Sequence, residues 1–293
     1  MKYIPFPRSG GHEVSGYQYA IRNYTEALQS KEDVTIECGD VKFLQPMGLA
    51  LLASMTCALT QTGRRTAYFT MPTNNAVLAY LADQDFFKEF SIEGTSRARI
   101  AAAPRSSSIG LKQLKSYDAS YIAQIPKWLE RNSYMRPEAI TEVIYTTIPE
   151  IINNVFDHSQ SPIGCYICAQ AYPSLKQLKL STIDLGVGLL NTLRPLFPHL
   201  QHDSEAIELA VKPGITSKSR PNNAGVGLDV LSGFLSENRG TLEIVSRDGE
   251  WKQAADGTTK KRTLPFDFPG TCINLTFDDQ AFMDRFAEGD RYD

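Results

Sequence analysis

The spacing of apolar and polar residues along the first 90 positions alternates between the pattern of a strand and the pattern of a helix. Each stretch with one pattern predicts one element. Residues 34–38 (VTIEC) and 67–69 (AYF) predict strands. Residues 44–59 predict an apolar helix entered through Pro46, and 74–82 predict a second helix. Strands that alternate with helices indicate an α/β unit.

The segments on either side of this unit carry weaker patterns. Residues 1–30 are polar and aromatic, with an early turn predicted at Gly10-Gly11. Residues 97–110 are rich in Ala, Ser, Arg and Pro and predict a linker, whereas 111–129 look partly helical. We therefore expect three parts: residues 1–100, a connector over 101–136, and a second domain over 137–293.

The second domain opens with a helix signal. Pro137 suits the first helical position, and the following acid suits the first turn. Pro149 removes one backbone donor, so a kink or a restart of the helix is expected there. A broad apolar face follows from the spacing of Ile140, Val143, Ile144, Ile148, Ile151, Ile152 and Val155.

Polar residues share another face of this helix. Glu150 and Asn154 are four apart, so their side chains lie on one side, and Asp157 and His158 extend that side by a turn. An Asn carbonyl can supply one oxygen to Mg²⁺, which keeps several waters. A carboxylate one turn earlier can accept a proton from a water or a hydroxyl. Taken alone, the pair is better explained as the solvated face of an amphipathic helix.

A second polar group follows the strand predicted over residues 178–184. Asp184 ends that strand, where a carboxylate can accept a hydrogen bond from an adenine amino group. Gly186 and Gly188 let the backbone bend and approach a ligand. A dinucleotide-binding loop is the rival interpretation, but its third glycine is replaced by Asn191. An ordinary turn between a strand and a helix is the plainer alternative.

A third group lies in a turn-prone stretch before another predicted helix. Residues 206–214 predict a short helix, and 215–223 (ITSKSRPNN) a hydroxyl-rich, basic loop that could close over a ligand. Backbone N–H groups at the helix start attract phosphate. A flexible surface loop is the alternative. The candidate nucleotide contacts here are Thr216, Ser217, Lys218, Gly225, Val226, Gly227 and Leu228.

Bulk composition excludes several classes. The 293 residues are 42% hydrophobic and 22% charged, a globular balance. A net charge of −3 makes nucleic acid an unlikely main ligand. No apolar run could span a membrane, and residues 1–16 lack the apolar centre of a signal peptide. Five cysteines, an odd number, suggest a reducing cytoplasm, and Cys165 and Cys168 are expected as buried strand residues.

The order of these motifs resembles the GHKL superfamily of gyrase, Hsp90, MutL and histidine-kinase-like ATPases. The resemblance spans about residues 137–278. Its N box is similar to 150–158 (EIINNVFDH), its G1 box to 184–188 (DLGVG), its G2 box to 225–228 (GVGL), and its last Gly-Thr strand to 270–275 (GTCINL).

This resemblance implies a nucleotide site with assigned roles. Glu150 would be the general base, Asn154 the magnesium ligand, Asp184 the adenine reader, and Thr271 a second contact on the adenine side. It also implies a mixed sheet backed by helices. Residues 247–269 are long and polar for a hairpin connection, so an exposed excursion is expected there.

The first unit resembles a STAS-type domain over residues 31–92. The resemblance rests on a strand, a short loop and a helix, VTIECGDVKFLQPMGLALLASM. Phosphorylatable relatives carry a hydroxyl in the loop before the helix, whereas residues 44–48 (LQPMG) carry none. A phosphoryl switch of that kind is therefore not expected.

The expected fold is α/β (α+β): a STAS-like domain followed by a Bergerat-type α/β sandwich. The leading functional hypothesis is a cytoplasmic regulatory switch that binds ATP and Mg²⁺, with slow ATPase activity and a protein partner or a homo-oligomer. One alternative is a serine/threonine protein kinase that acts on a separate partner. The other is a non-catalytic interaction module that ATP stabilises.

Overall fold

The protein combines two β-sheets with helices packed on them. The computed structural model describes residues 1–62, 66–90, 107–213 and 227–289. A three-stranded parallel sheet lies in the N-terminal unit, and a five-stranded antiparallel sheet lies in the rest of the described chain. The predicted mixed α/β class, with α+β character, is confirmed.

The N-terminal unit alternates strands and helices. Its strands pair in parallel in the order β1-β2-β3. The elements predicted after residue 33 are confirmed, whereas β1 and α1 fall in a stretch for which no element was predicted. The elements are β1 (Lys2–Pro5), α1 (Gln18–Gln29), β2 (Val34–Glu37), α2 (Pro46–Cys57), β3 (Ala67–Thr70), α3 (Asn75–Asp83) and α4 (Phe86–Glu89). The sequence Gly63-Arg64-Arg65 also predicts a turn at the end of the apolar helix, and these three residues lie outside the described residues.

Helix α2 is buried on every side. All twelve of its residues are buried, as expected for a helix that is hydrophobic around its whole circumference. It packs against β5 and β6 of the five-stranded sheet, and the Pro46 carbonyl accepts a hydrogen bond from Cys168 Sγ at 3.2 Å. The two units therefore share one hydrophobic core through this helix.

The five-stranded sheet has the order β4-β5-β6-β8-β7, and every neighbouring pair is antiparallel. The mixed sheet expected from the resemblance is therefore wrong for the described strands. The first strand lies within the stretch assigned to a connector and replaces the partly helical start predicted there. The strands are β4 (Ser108–Leu114), β5 (Cys165–Tyr172), β6 (Gln177–Asp184), β7 (Thr241–Gln253) and β8 (Thr259–Asp278).

Helices cover the face of this sheet that points away from α2. Pro149 lies inside one of them, and the helical segment continues through it, with wider turns at Ile140–Ile144 and Val155–Ser159. The helices are α5 (Ala119–Ile122), α6 (Gln124–Asn132), α7 (Pro137–Ala139), α8 (Tyr145–Asn154), α9 (Leu189–Leu193), α10 (Asp203–Ala210), α11 (Leu228–Glu237) and α12 (Asp279–Gly289). None of the described helices is long and apolar enough to cross a membrane.

The two cysteines of β5 lie in two different hydrophobic cores, one on each face of the five-stranded sheet. Cys165 is buried with the residues of α6, α8 and α11, whereas Cys168 is buried with those of α2. The two side chains lie on opposite faces because residues three apart on a strand point in opposite directions. The expectation of buried strand cysteines is confirmed.

The long polar segment 247–269 forms a β-ribbon from the end of β7 and the start of β8. Its two strands remain paired out to Gln253 and Thr259, with a short turn at its tip. Trp251, Phe266 and Phe268 are buried along it. The predicted exposed excursion is confirmed for 254–263, where nearly every residue is exposed, but it is wrong for the rest of 247–269, where apolar side chains are buried.

Candidate functional site

One cavity brings most of the predicted site residues together. It lies between α8, the loop after β6, α9 and the start of α11. Strand β8 closes its floor with Thr271. The predicted residues that line it are Glu150, Asn154, His158, Asp184, Gly188, Gly227, Leu228 and Thr271.

Other predicted residues lie elsewhere. Asp157 is exposed, is absent from the cavity lining, and its carboxylate accepts a hydrogen bond from Asn153 Nδ2 at 3.2 Å. Gly186 lies beside the cavity rather than in its lining. The candidates Thr216, Ser217, Lys218, Gly225 and Val226 lie outside the described residues.

Asp184 is the buried carboxylate of the site. It ends β6 opposite Thr271 of β8, and its Oδ1 accepts a hydrogen bond from the Gly186 amide at 2.8 Å. Burial raises the pKa of this carboxyl from 3.8 to about 7, although the backbone N–H groups of Gly186 and Thr271 oppose the rise. The carboxyl therefore changes its charge near neutral pH.

The glycines after Asp184 have distinct structural reasons. A Cβ on Gly186 would overlap the carbonyl oxygen of Ser159, because the loop passes directly over the end of the α8 segment. The Val187 amide donates to that same carbonyl at 2.7 Å. Gly188 has a φ of 84°, a region that L side chains rarely adopt. Gly186 therefore serves packing against the helical segment, and Gly188 permits the turn into α9.

Ser246 holds the start of α9 in place. Its Oγ accepts a hydrogen bond from the Leu189 amide at 2.8 Å and lies 3.4 Å from Thr271 Oγ1. Ser246 is fully buried at the point where β7 passes the site. No sequence pattern pointed to Ser246 as part of the site, since only a hydroxyl at the end of the predicted strand 241–246 marks it.

Glu150 lies against the start of α11. A Cβ built on Gly227 would lie 3.2 Å from Glu150 Cγ, so this glycine leaves the carboxylate its space. The polar groups Glu150, Asn154 and Asp184 thus share a cavity with an apolar wall. That wall consists of Ile151, Val155, Leu189, Leu193 and Ile273. Such a lining suits a flat apolar ring that also presents polar edges.

The cavity is narrow between its described walls. Its volume is about 110 Å³, below the roughly 300–1,000 Å³ of most small-molecule sites. A ligand larger than one ring therefore requires the walls to separate.

The described residues could supply only one or two protein ligands to a metal ion in this cavity. No group of three or more His, Cys, Asp or Glu side chains within them is arranged to hold a metal. Mg²⁺ commonly binds through one or two protein oxygens together with substrate phosphates and water. The Asn154 carbonyl, in the same cavity as the Glu150 carboxylate, meets that lesser requirement.

Comparison with known proteins gives no further assignment. The chain matches no protein-family model, and a search of curated proteins also finds no match.

Proposed function

We propose that the cavity binds ATP together with Mg²⁺ and that the protein is a cytoplasmic nucleotide-dependent switch with slow ATPase activity. The observation that carries this proposal is the convergence of Glu150, Asn154, Asp184 and Thr271 on one cavity. These residues come from α8 and two strands, far apart in the sequence. A solvated helix face would not bring them together with a buried carboxylate.

Each residue has a task in this proposal. Asp184 accepts a hydrogen bond from the adenine amino group, and Thr271 binds the same edge of the base. Asn154 supplies an oxygen to the magnesium ion, which when bound neutralises phosphate charge. Glu150 accepts a proton from the attacking water.

The narrow cavity supports a switch rather than a fast enzyme. Nucleotide entry requires movement of Gly227 and the start of α11 away from Glu150, and such steps often limit turnover. Strand β6, which carries Asp184, also packs on α2, so a protein partner bound to the N-terminal unit could sense the nucleotide. The five cysteines are free and buried, which favours a reducing compartment.

Equilibrium binding of ATP with and without Mg²⁺ tests the proposal. Asn154→Ala should remove most of the gain in ATP affinity that Mg²⁺ provides. Asp184→Asn should weaken ATP binding both in the presence and in the absence of Mg²⁺. Loss of a charge-assisted hydrogen bond costs about 1.5–3 kcal/mol, a change of roughly 10- to 150-fold in affinity.

The chain offers matched controls. Asn153→Ala alters the neighbouring amide, and Asp157→Asn alters an exposed carboxylate outside the cavity lining. Both should bind ATP as the unmodified protein does. Unchanged affinity in Asn154→Ala and Asp184→Asn alike would reject the proposal.

A further inference from the structure

A second cleft lies on the opposite face of the five-stranded sheet from the first cavity. Its floor is formed by β6, β8 and β7, and its walls by the loop before α1 and the β-ribbon. Its volume is about 930 Å³, within the range of sites for small molecules. No sequence motif pointed to a function for these residues.

Basic side chains outnumber acidic ones in this cleft, five to three. The three acids are already paired with cations. Lys252 Nζ lies 2.9 Å from Glu13, 3.2 Å from Glu243 and 3.4 Å from Glu250, and Arg262 also binds Glu250. Lys261 is paired with Glu208 outside the cleft at 2.8 Å. The acids of the cleft therefore do not balance the positive charge of Lys179 and Lys260.

Lys179 carries part of that remaining charge at the floor. It is buried on β6, between two leucines that point to the other face. Its Nζ donates to Gln45 Oε1 at 3.0 Å and lies 5.5 Å from the centre of the Tyr172 ring. Both of these partners are uncharged, and the described residues give it no ion pair within 4 Å. Buried charges in proteins are normally paired, so an anion would stabilise this ammonium group.

His12 presents an unused acceptor in the same cleft. Its Nε2 lies 3.2 Å from the Leu275 carbonyl oxygen, which can only accept, so this nitrogen carries the proton. Burial and the nearby charge of Lys179 lower the pKa of His12 to about 3, so the ring is neutral at pH 7. Nδ1 is then an acceptor, and it is buried without a hydrogen-bond partner among the described residues.

We propose that this cleft binds a small hydroxylated organic anion. A phosphate or carboxylate group of the ligand pairs with Lys179, and a ligand hydroxyl donates a hydrogen bond to Nδ1 of His12. Because His12 belongs to the N-terminal unit and Lys179 to the second sheet, the ligand joins the two units. This site does not depend on nucleotide binding in the first cavity.

Thermal unfolding of the full chain, titrated with glycerol 3-phosphate, glycerate or neutral glycerol, tests the proposal. At least one of the two anions should raise the melting temperature saturably, and the anion that does so identifies the charged group. Glycerol at equal concentration should not. Lys179→Met should lower the affinity for that anion at least tenfold, and His12→Phe should lower it severalfold.

Lys176→Met is the matched control, because this exposed lysine lies on the same segment but outside the cleft lining. It should bind the anion normally. Circular dichroism checks that each variant is folded, and if Lys179→Met does not fold, His12→Phe decides. Absence of saturable stabilisation by either anion, or equal affinity in the folded Lys179 or His12 variant, overturns the proposal.

Discussion

The hydroxyl oxygen of Ser246 accepts a hydrogen bond from the Leu189 amide at 2.8 Å and thereby joins β7 to the first turn of α9. Leu189 lines the first cavity, and the same hydroxyl lies 3.4 Å from Thr271 Oγ1. The geometry of the loop after Asp184 thus depends on a residue 62 positions later in the sequence.

Ser246→Ala should therefore destabilise the protein by about 0.5–1.5 kcal/mol, since it leaves the part-buried N–H group of Leu189 without its partner. Denaturant unfolding measures this change. Ser181→Ala is a matched control, because Ser181 is equally buried and its hydroxyl has no hydrogen-bond partner among the described residues. Equal losses in the two variants would show that the Leu189 contact contributes nothing.

Asp184 gives a prediction about pH. Its folded pKa of about 7 exceeds the value of 3.8 for an unperturbed group, so the folded protein keeps a proton that the unfolded chain has already released. This group therefore makes stability fall as pH rises from about 4 to about 7, and the loss persists above that window.

Asp184→Asn removes that loss. Relative to the unmodified protein, the variant should gain stability steadily from pH 4 to pH 7 and hold a constant advantage above it. Asp203 and Glu243, whose pKa values are also raised, are present in both proteins and cancel in the difference. Chemical unfolding at pH 4, 6 and 8 measures this difference, and parallel curves would contradict the assignment.

Glu150→Gln separates binding from chemistry at the proposed ATP site. The amide keeps the size of the side chain but cannot take a proton, so ATP should bind with little change while phosphate release falls. Removal of a general base typically costs about 100- to 10,000-fold in rate. Labelled ATP, followed as free phosphate or as phosphoprotein with candidate partners, also distinguishes hydrolysis from transfer. Undiminished phosphate release would remove Glu150 from its assigned role.

Gly186→Ala tests the close packing of the loop on the α8 segment. A Cβ at this position would overlap the Ser159 carbonyl, so the loop must shift. Forced shifts of this kind cost about 1–3 kcal/mol. Gly233→Ala in α11 is the control, because a Cβ there has no neighbour within 4 Å, and alanine favours a helix over glycine by about 1 kcal/mol. Unfolding free energies should therefore change in opposite directions.

Long apolar runs made part of the fold predictable. The mostly apolar run of α2 and the strand ending at Asp184 both formed as expected. The β1 strand has only four residues and ends in a proline, so its pattern is too short to recognise. The ribbon was missed because the exposed basic residues at 260–262 obscure the alternation of Leu264, Phe266 and Phe268 that follows them.

The candidate site was predictable where its residues follow local patterns. Glu150 and Asn154 share a helix face, and Asp184 ends an apolar strand, so these positions were candidates from local patterns. The order of the motifs along the chain, rather than the spacing of any one of them, singled them out. Ser246 was not predictable, because its position depends on the antiparallel pairing of β7 with β8, which no local pattern specifies. The role of Gly186 was also different from expectation, since its neighbour is the backbone of Ser159.

The position of α2 limits how the protein can be divided. A truncated chain that begins near residue 107 would leave Cys168, Ile183 and Cys272 without the apolar helix that covers them. A newly exposed apolar sheet face promotes self-association. The second sheet and the N-terminal unit should therefore be expressed as a single polypeptide, since each half alone would leave exposed the part of its hydrophobic surface that the other covers.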